Sequence, residues 1–220
     1  VEVRGLEKHF VRRAAPWGRP TRVTAVDGFD LSIEEGEIVG LIGESGSGKT
    51  TAGRCLLRLV EPSAGSFAFR GEDVFAMSPA RLRQARRQMQ MVFQDPESSL
   101  DPRMRAGAIV EEGLVIHGLG TPAERRGRVR EMLELVGLDA NRADRYPHEF
   151  SGGERQRLGL ARALALAPSF LVADEPVSSL DLSIQAQIVN LFMDLQQQLG
   201  LALLFITHDL RLVRHLCSRV

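Results

Sequence analysis

Gly43-Glu44-Ser45-Gly46-Ser47-Gly48-Lys49-Thr50 matches G-x-x-x-x-G-K-[ST], the phosphate-binding P-loop. The apolar run before it, Glu37 to Ile42, reads as a buried strand, and Thr51 to Leu59 after it reads as a helix. Strand, glycine-rich loop and helix is the context this loop needs. The glycines let several backbone N–H groups turn inward on one phosphate, and the helix N-terminus adds partial positive charge. Lys49 then reaches the β- and γ-phosphates, and the Thr50 hydroxyl ligates Mg²⁺. The chain uses 26 Arg but only two Lys, Lys8 and Lys49. It keeps lysine where a compact ammonium must fit and a planar guanidinium would crowd the loop.

At 220 residues, with 44% hydrophobic and 25% charged content, the chain has the composition of one globular domain, or one domain with an inserted lobe. Its 28 basic and 28 acidic side chains cancel, so no overall field points to nucleic acid or to an anionic membrane surface as partner. Cys55 and Cys217 form neither a disulfide framework nor a C-x-x-C metal pair, which fits a reducing compartment. No apolar run reaches eighteen residues, and there is no signal peptide. A start at Val1 and an end at Val220 in mid-pattern predict a piece of a longer protein.

Outward from the loop, Val1 to Glu7 alternates as a half-exposed strand, and Val11 to Arg22, with Pro16, Gly18 and Pro20, reads as a loop or hairpin at a sheet edge. Strands are expected at Val26 to Ile33, Gly65 to Gly71 and Met89 to Phe93, with an Arg-rich helix at Pro79 to Arg87 whose Arg81, Arg83, Arg86 and Arg87 make a solvated face. Helical spacing follows over Ala106 to Ile116 and Pro122 to Val136, with Gly137 as C-cap, and a further helix over Glu154 to Leu166. Strand and helix then alternate through Phe170 to Ala173, Ser183 to Leu199, Ala202 to Ile206 and Leu210 to Cys217, which implies a largely parallel sheet with covering helices.

Two further stretches carry chemistry. Phe170-Leu171-Val172-Ala173-Asp174-Glu175 is an apolar strand ending in two acids, the place of the aspartate that holds Mg²⁺ beside a P-loop hydroxyl. Glu175 then orients or deprotonates an attacking water. Ser151-Gly152-Gly153-Glu154 opens a helix whose free first-turn N–H groups make a second anion site. One chain has no use for two such sites on one γ-phosphate unless a second chain supplies one of them. Without its neighbours, Ser-Gly-Gly is only an N-cap.

In sequence order the chain carries Walker A (Gly43 to Thr50), Gln94 in Met91-Val92-Phe93-Gln94-Asp95-Pro96, the signature Ser151 to Glu154, Walker B Asp174 with Glu175, the D-loop Ser179-Leu180-Asp181, and His208. In this it resembles the nucleotide-binding domains of ABC ATPases over nearly its whole length. The resemblance implies an α/β P-loop NTPase with a mainly parallel central sheet and an N-terminal antiparallel β part. Residues 1–94 and 151–220 would form the core, and 95–150 an inserted α-helical subdomain ending at the signature. It also implies ATP and Mg²⁺ as cofactors, with Thr50, Gln94 and Asp174 at the metal and Glu175, His208 and Gln94 as the catalytic groups. Nucleotide contacts fall to Gly43, Glu44, Ser45, Gly46, Ser47, Gly48, Lys49, Thr50 and Thr51. From a second ATPase subunit paired head to tail come Ser151, Gly152, Gly153 and Glu154, with Asp181 signalling across the interface. An aromatic of the first strand would stack on adenine, Phe10 first and His9 second. The usual signature begins with Leu and ends with Gln; Phe150 and Glu154 stand here instead, and Glu154 is a tolerated variant.

Finer patterns are similar to ATPase subunits of oligopeptide, dipeptide and nickel importers: Ser99-Leu100-Asp101-Pro102-Arg103, Tyr146-Pro147-His148-Glu149-Phe150 and Leu182 to Gln187. This implies permease partners docking near Gln94 and the helical subdomain, an indirect solute-binding protein, no nucleic acid, and a peripheral place on the cytoplasmic face of the membrane. A DNA-repair ABC ATPase would separate Walker A from the signature by a coiled coil or zinc modules, and only a short helical stretch intervenes. A P-loop kinase or GTPase would lack Ser151-Gly152-Gly153, and a GTPase would need Asn-Lys-x-Asp.

Overall fold

The computed structural model of the chain describes residues 1–13 and 20–220. Two four-stranded sheets organise it. The first is antiparallel, in the order β2-β1-β4-β5, with β1 at Glu2–Arg13, β2 at Pro20–Ser32, β4 at Ala64–Phe69 and β5 at Glu72–Asp73. The second is parallel, in the order β3-β8-β7-β6, with β3 at Ile38–Ile42, β6 at Met89–Val92, β7 at Phe170–Asp174 and β8 at Ala202–Thr207. Its crossovers carry the helices: α1 (Lys49–Leu56) and α2 (Pro79–Ala85) between β3 and β6, then α3 (Pro96–Ser99), α4 (Ala106–Ile116), α5 (Pro122–Leu135) and α6 (Gly152–Leu164) between β6 and β7. After β7 come α7 (Leu182–Leu199), β8 and α8 (Leu210–Leu216).

The parallel strands are apolar on both faces because both are covered. Phe170 and Val172 of β7 and Leu204 and Ile206 of β8 face a core shared with the antiparallel sheet, α1 and α2. Leu171, Ala173, Leu203 and Phe205 face the opposite core, against α4, α5, α6 and α7. Phe170 joins the two sheets, with ring centroids 6.2 Å from Phe67 and 6.4 Å from Phe69 of β4. Such aromatic pairs add about 0.5–1.5 kcal/mol each beyond their buried area.

Between β6 and α6 the chain is helical, as the periodicity of Ala106 to Ile116 predicts. Thr121 caps α5 with a reciprocal box to Glu124, and Gly137, at φ +72°, ends it by donating to Glu134 O. The helical expectation beginning at Glu154 starts two residues earlier, at Gly152. The Val11 to Arg22 stretch takes the hairpin alternative: β1 and β2 continue into it, with Arg12 opposite Thr21 and Arg13 opposite Pro20. Its centre, including Pro16 and Gly18, lies outside the described residues.

The basic run around α2 departs from the solvated face its composition predicts. Arg81 and Arg83 are exposed, but Arg86 is half-buried and donates to the carbonyls of Leu57 and Arg58 just past the end of α1. A guanidinium there satisfies helix-terminal acceptors that have no other partner on their own helix.

Candidate active site

All four parallel strands point the same way, so their carboxyl ends share one edge, where open α/β sheets bind ligands. The loop 43–48 leaves β3 there, Asp174 ends β7, and His208 follows β8. Gln94 comes two residues after β6. Residues as far apart as Gly43 and His208 therefore line one cleft of about 750 Å³, formed by Gly43 to Gly46, Gly48 to Thr51, Gln94, Glu175 and His208.

The loop itself is held by two features. Gly48, at φ +96°, passes so close to β2 that a Cβ there would stand 1.9 Å from the Ala25 carbonyl oxygen; only glycine fits. Lys49 is 7% exposed, and its ammonium donates to the loop's own carbonyls, Gly43 O at 2.7 Å and Glu44 O at 2.8 Å. Its Nζ is thereby fixed against the loop's own carbonyls. Ser47 faces the other side of the loop, in a second hollow shared with Thr24 to Asp30.

Asp174 is fully buried, and its Oδ1 accepts the Thr50 hydroxyl at 2.8 Å. Its Oδ2 is buried with no hydrogen-bond partner. Burial pushes the Asp174 carboxyl above its ordinary range, against the opposing pull of the Thr50 bond and of Arg54 and Lys49 nearby. Among the described residues no three His, Cys, Asp or Glu side chains gather as a protein metal cage. One orphaned carboxylate oxygen beside a hydroxyl is instead the donor set that Mg²⁺ takes when substrate phosphates complete its shell, so the residues present fit that ion.

Glu175 follows in a left-handed conformation, φ +44°, rare for a residue with a side chain. Its N–H donates to Ile206 O at 2.9 Å, which holds the strained turn. The turn swings the carboxylate over the cleft, where Oε2 lies 3.3 Å from Gln94 Nε2 and 3.2 Å from His208 Nδ1. Strain of about 1–3 kcal/mol at such a position persists where the surrounding structure over-determines it, and such residues cluster at functional sites. The acid is only 12% exposed.

The signature lies elsewhere. Ser151 to Glu154 form the N-terminus of α6 and line no part of the cleft. A capping box holds them: Glu154 N donates to Ser151 Oγ, and Ser151 N and Oγ donate to Glu154 Oε2 at 2.8 and 2.9 Å. Arg142 pairs with the other carboxylate oxygen, and the Glu154 carboxyl is held down to about 2, chiefly by Arg142 and then by the Ser151 N–H. Gly153 packs on α7, where a Cβ would meet Ile184 Cγ2 at 2.6 Å. Asp181 is exposed at the N-cap of α7, and its side chain makes no capping bond.

Phe10 is 42% exposed on β1 with the Lys8 ammonium 4.8 Å from its ring centroid, and His9 bonds Thr24 and Glu7. Neither lines the cleft. Sequence patterns gave no signal for Ala25, which acts through a backbone carbonyl, for Leu210, an exposed apolar side chain on the cleft wall, or for Arg142.

The family description "ABC transporter" matches residues 26–178. A Brucella ovis ATP-binding protein named for peptide import is 56% identical over all 220 residues, which span 68% of that protein. The oligopeptide transport ATP-binding protein OppF of Bacillus subtilis is 51% identical over the whole chain and 71% of its own length. Among solved structures, the ATP-binding cassette MJ0796, in a dimeric post-hydrolysis state bound to ADP and Pi, superposes with a TM-score of 0.84 at 30% identity. That match covers 97% of this chain and 90% of the other. With its P-loop, buried aspartate and displaced signature helix in place, the chain belongs to the ABC transporter family.

Proposed function

We propose that this chain is an ATP-hydrolysing subunit that powers peptide import. The peptide assignment rests on the relatives named for that task. One observation carries the division of labour: the P-loop, Gln94, Glu175 and His208 share a cleft from which Ser151 to Glu154 are absent. A nucleotide on Lys49 therefore completes its site with the signature of a second ATPase subunit, paired head to tail. Glu175 orients or deprotonates the attacking water, His208 holds the γ-phosphate, and Gln94 contacts Mg²⁺ or the water and senses the partner's docking. Thr50, Asp174 and Gln94 would hold Mg²⁺, which when bound neutralises charge on the phosphates. Phe10, with His9 as second choice, would stack on adenine, and Asp181 would signal across the interface.

Residues 95–150 form the helical subdomain in this reading. Permease subunits dock between it and the core near Gln94, over a shallow groove that includes Leu59, Phe93 and Ile116; Leu59 and Ile116 are about half exposed. A peripheral position on the cytoplasmic membrane face follows; among the described residues no helix is long and apolar enough to cross a membrane.

Complementation between two variants tests the split site. Ser151→Arg blocks the signature, and Lys49→Ala removes the phosphate lysine. Gly153 is the poorer target, because bulk there strikes Ile184 of the same chain. Neither variant by itself should dimerise with ATP. Mixed, they rebuild one site from the P-loop of the first and the signature of the second, and ATP-dependent heterodimers should appear in size-exclusion chromatography. The reading fails if Ser151→Arg abolishes nucleotide binding to the monomer as thoroughly as Lys49→Ala does.

A further inference from the structure

Arg142 belongs to none of the motifs above, yet it touches both positions where this chain departs from the usual signature. Its guanidinium carbon lies 4.3 Å from the centroid of the buried Phe150 ring. Nη2 donates to Glu149 O at 3.2 Å, and Nη1 pairs with Glu154 Oε1. The side chain is 20% exposed, against 32% for Glu154. Stacking, a carbonyl and a carboxylate together fix the guanidinium in one place.

Glu154 creates a problem that a glutamine would not. A carboxylate in the first turn of a helix is a good cap, but it brings negative charge to the end that must attract the partner's phosphate. Its Oε2 also accepts the Ser151 hydroxyl proton, the proton that a phosphate oxygen would need. We propose that Arg142 is a positioning residue of the signature half-site: it compensates the charge of Glu154 and loosens the hold of that carboxylate on Ser151. Without Arg142 the full charge falls on the self-capping interaction. Ser151 is then held more tightly, and an incoming γ-phosphate meets uncompensated repulsion. This inference rests on the split-site reading above.

A double-mutant cycle on the full chain tests it. Arg142→Leu keeps an apolar stem against Phe150 and removes the charge. Measured by ATP-dependent dimerisation and by the KM of hydrolysis, it should raise the ATP concentration required by about tenfold, the scale of a partly exposed charge pair losing one member. In the Glu154→Gln background the same Arg142→Leu change should cost less than about twofold, since no charge remains to compensate. Nucleotide binding to the monomer, read with a fluorescent ATP analogue, should not follow this pattern. An equal factor in both backgrounds overturns the proposal, because Arg142 would then serve only the local packing; so does an Arg142→Leu variant that behaves as the parent. If Arg142→Leu fails to fold, Arg142→Lys and Arg142→Gln replace it. The lysine keeps the charge but not the stack on Phe150 and should outperform the glutamine by at least about threefold, and equal defects in the two would sink the charge argument. Should Ser151→Arg leave ATP-dependent dimerisation intact, the split-site reading itself is at fault, a result separable from any outcome of the cycle.

Discussion

Gly48→Ala asks whether the close passage of β2 past the phosphate loop is what shapes that loop. Two costs are separable. The first is backbone strain: Gly48 sits at φ +96°, and a side chain in the left-handed region costs about 1–2 kcal/mol. The second is collision. The new Cβ would stand 1.9 Å from the Ala25 carbonyl oxygen, against the 3.0 Å that such contacts require, so loop or strand must move by 3.0 − 1.9, about 1.1 Å. Overpacking of that kind adds about 1–3 kcal/mol. Gly71→Ala isolates the first cost, since Gly71 has φ +81° in the turn between β4 and β5 and nothing lies within 4 Å of its would-be Cβ. Gly48→Ala should therefore melt roughly 2–12 °C below Gly71→Ala for a chain of this size. The effect on nucleotide is larger. A displacement of about 1 Å stretches N–H···O bonds of about 2.9 Å to nearly 4 Å, where they no longer count as bonds. Losing two bonds to a charged phosphate, at about 1.5–3 kcal/mol each, weakens ATP by roughly 10²–10⁴-fold. Calorimetric titration with Mg·ATP and thermal unfolding of both variants decide the matter. Equal melting temperatures, or ATP affinity in Gly48→Ala within tenfold of the parent, would refute the reasoning.

Two further outcomes follow from the acids. Glu175→Gln keeps a hydrogen-bonding group between Gln94 and His208 but cannot take a proton; phosphate release should fall about 10²–10⁴-fold with ATP binding kept and an ATP-bound dimer accumulating, and release within fivefold of the parent would remove Glu175 from catalysis. Asp174→Asn bears on stability as well as hydrolysis. Because burial raises the folded carboxyl above the ordinary aspartate value of 3.8, the folded form holds its proton longer than the unfolded one, and stability declines as pH rises from 3.8 through the folded value. The asparagine variant should lose that decline, be at least as stable as the parent at pH 7 without Mg²⁺, and gain nothing from added Mg²⁺ in a melting assay. A variant clearly less stable than the parent at pH 7 without the ion would contradict this.

What the sequence shows depends on how far apart the interacting residues lie. The P-loop is legible because its glycines, Lys49 and Thr50 act within eight consecutive residues. Helix α4 is legible to its bounds because one face of every turn must be apolar, and β7 and β8 because both faces are buried. The β1–β2 hairpin is harder to read. Its outer end has no buried face on which to write an alternation, with Phe10, Val11 and Val23 exposed at 42%, 70% and 46%. Gly152 and Gly153 disguise the first turn of α6, since glycine is a poor helix former, although Ser151 caps them. Arg86 reads as a surface charge until Leu57 O and Arg58 O, at separations of 29 and 28 residues, appear beside it. Arg142 gives no signal at all, because its pairing with Glu154 crosses a loop that only the fold closes.

The two halves of the active site share a design that bears on how ATP engages them. Lys49 spends two donors on Gly43 O and Glu44 O, and Ser151 spends its hydroxyl proton on Glu154. A phosphate that takes these particular donors exchanges bonds rather than adding them, and such exchanges are nearly balanced in free energy. The decisive gain comes from charge: the triphosphate replaces neutral carbonyls at Lys49, and charge-assisted bonds are about twice as strong. At the signature the competitor is already a carboxylate, so the same gain is absent unless that carboxylate is neutralised from behind. On the split-site reading proposed above, the P-loop half would bind nucleotide by itself, while the signature half would be biased against free anions and close only on a phosphate presented by a partner. In this chain Arg142 sets the size of that bias.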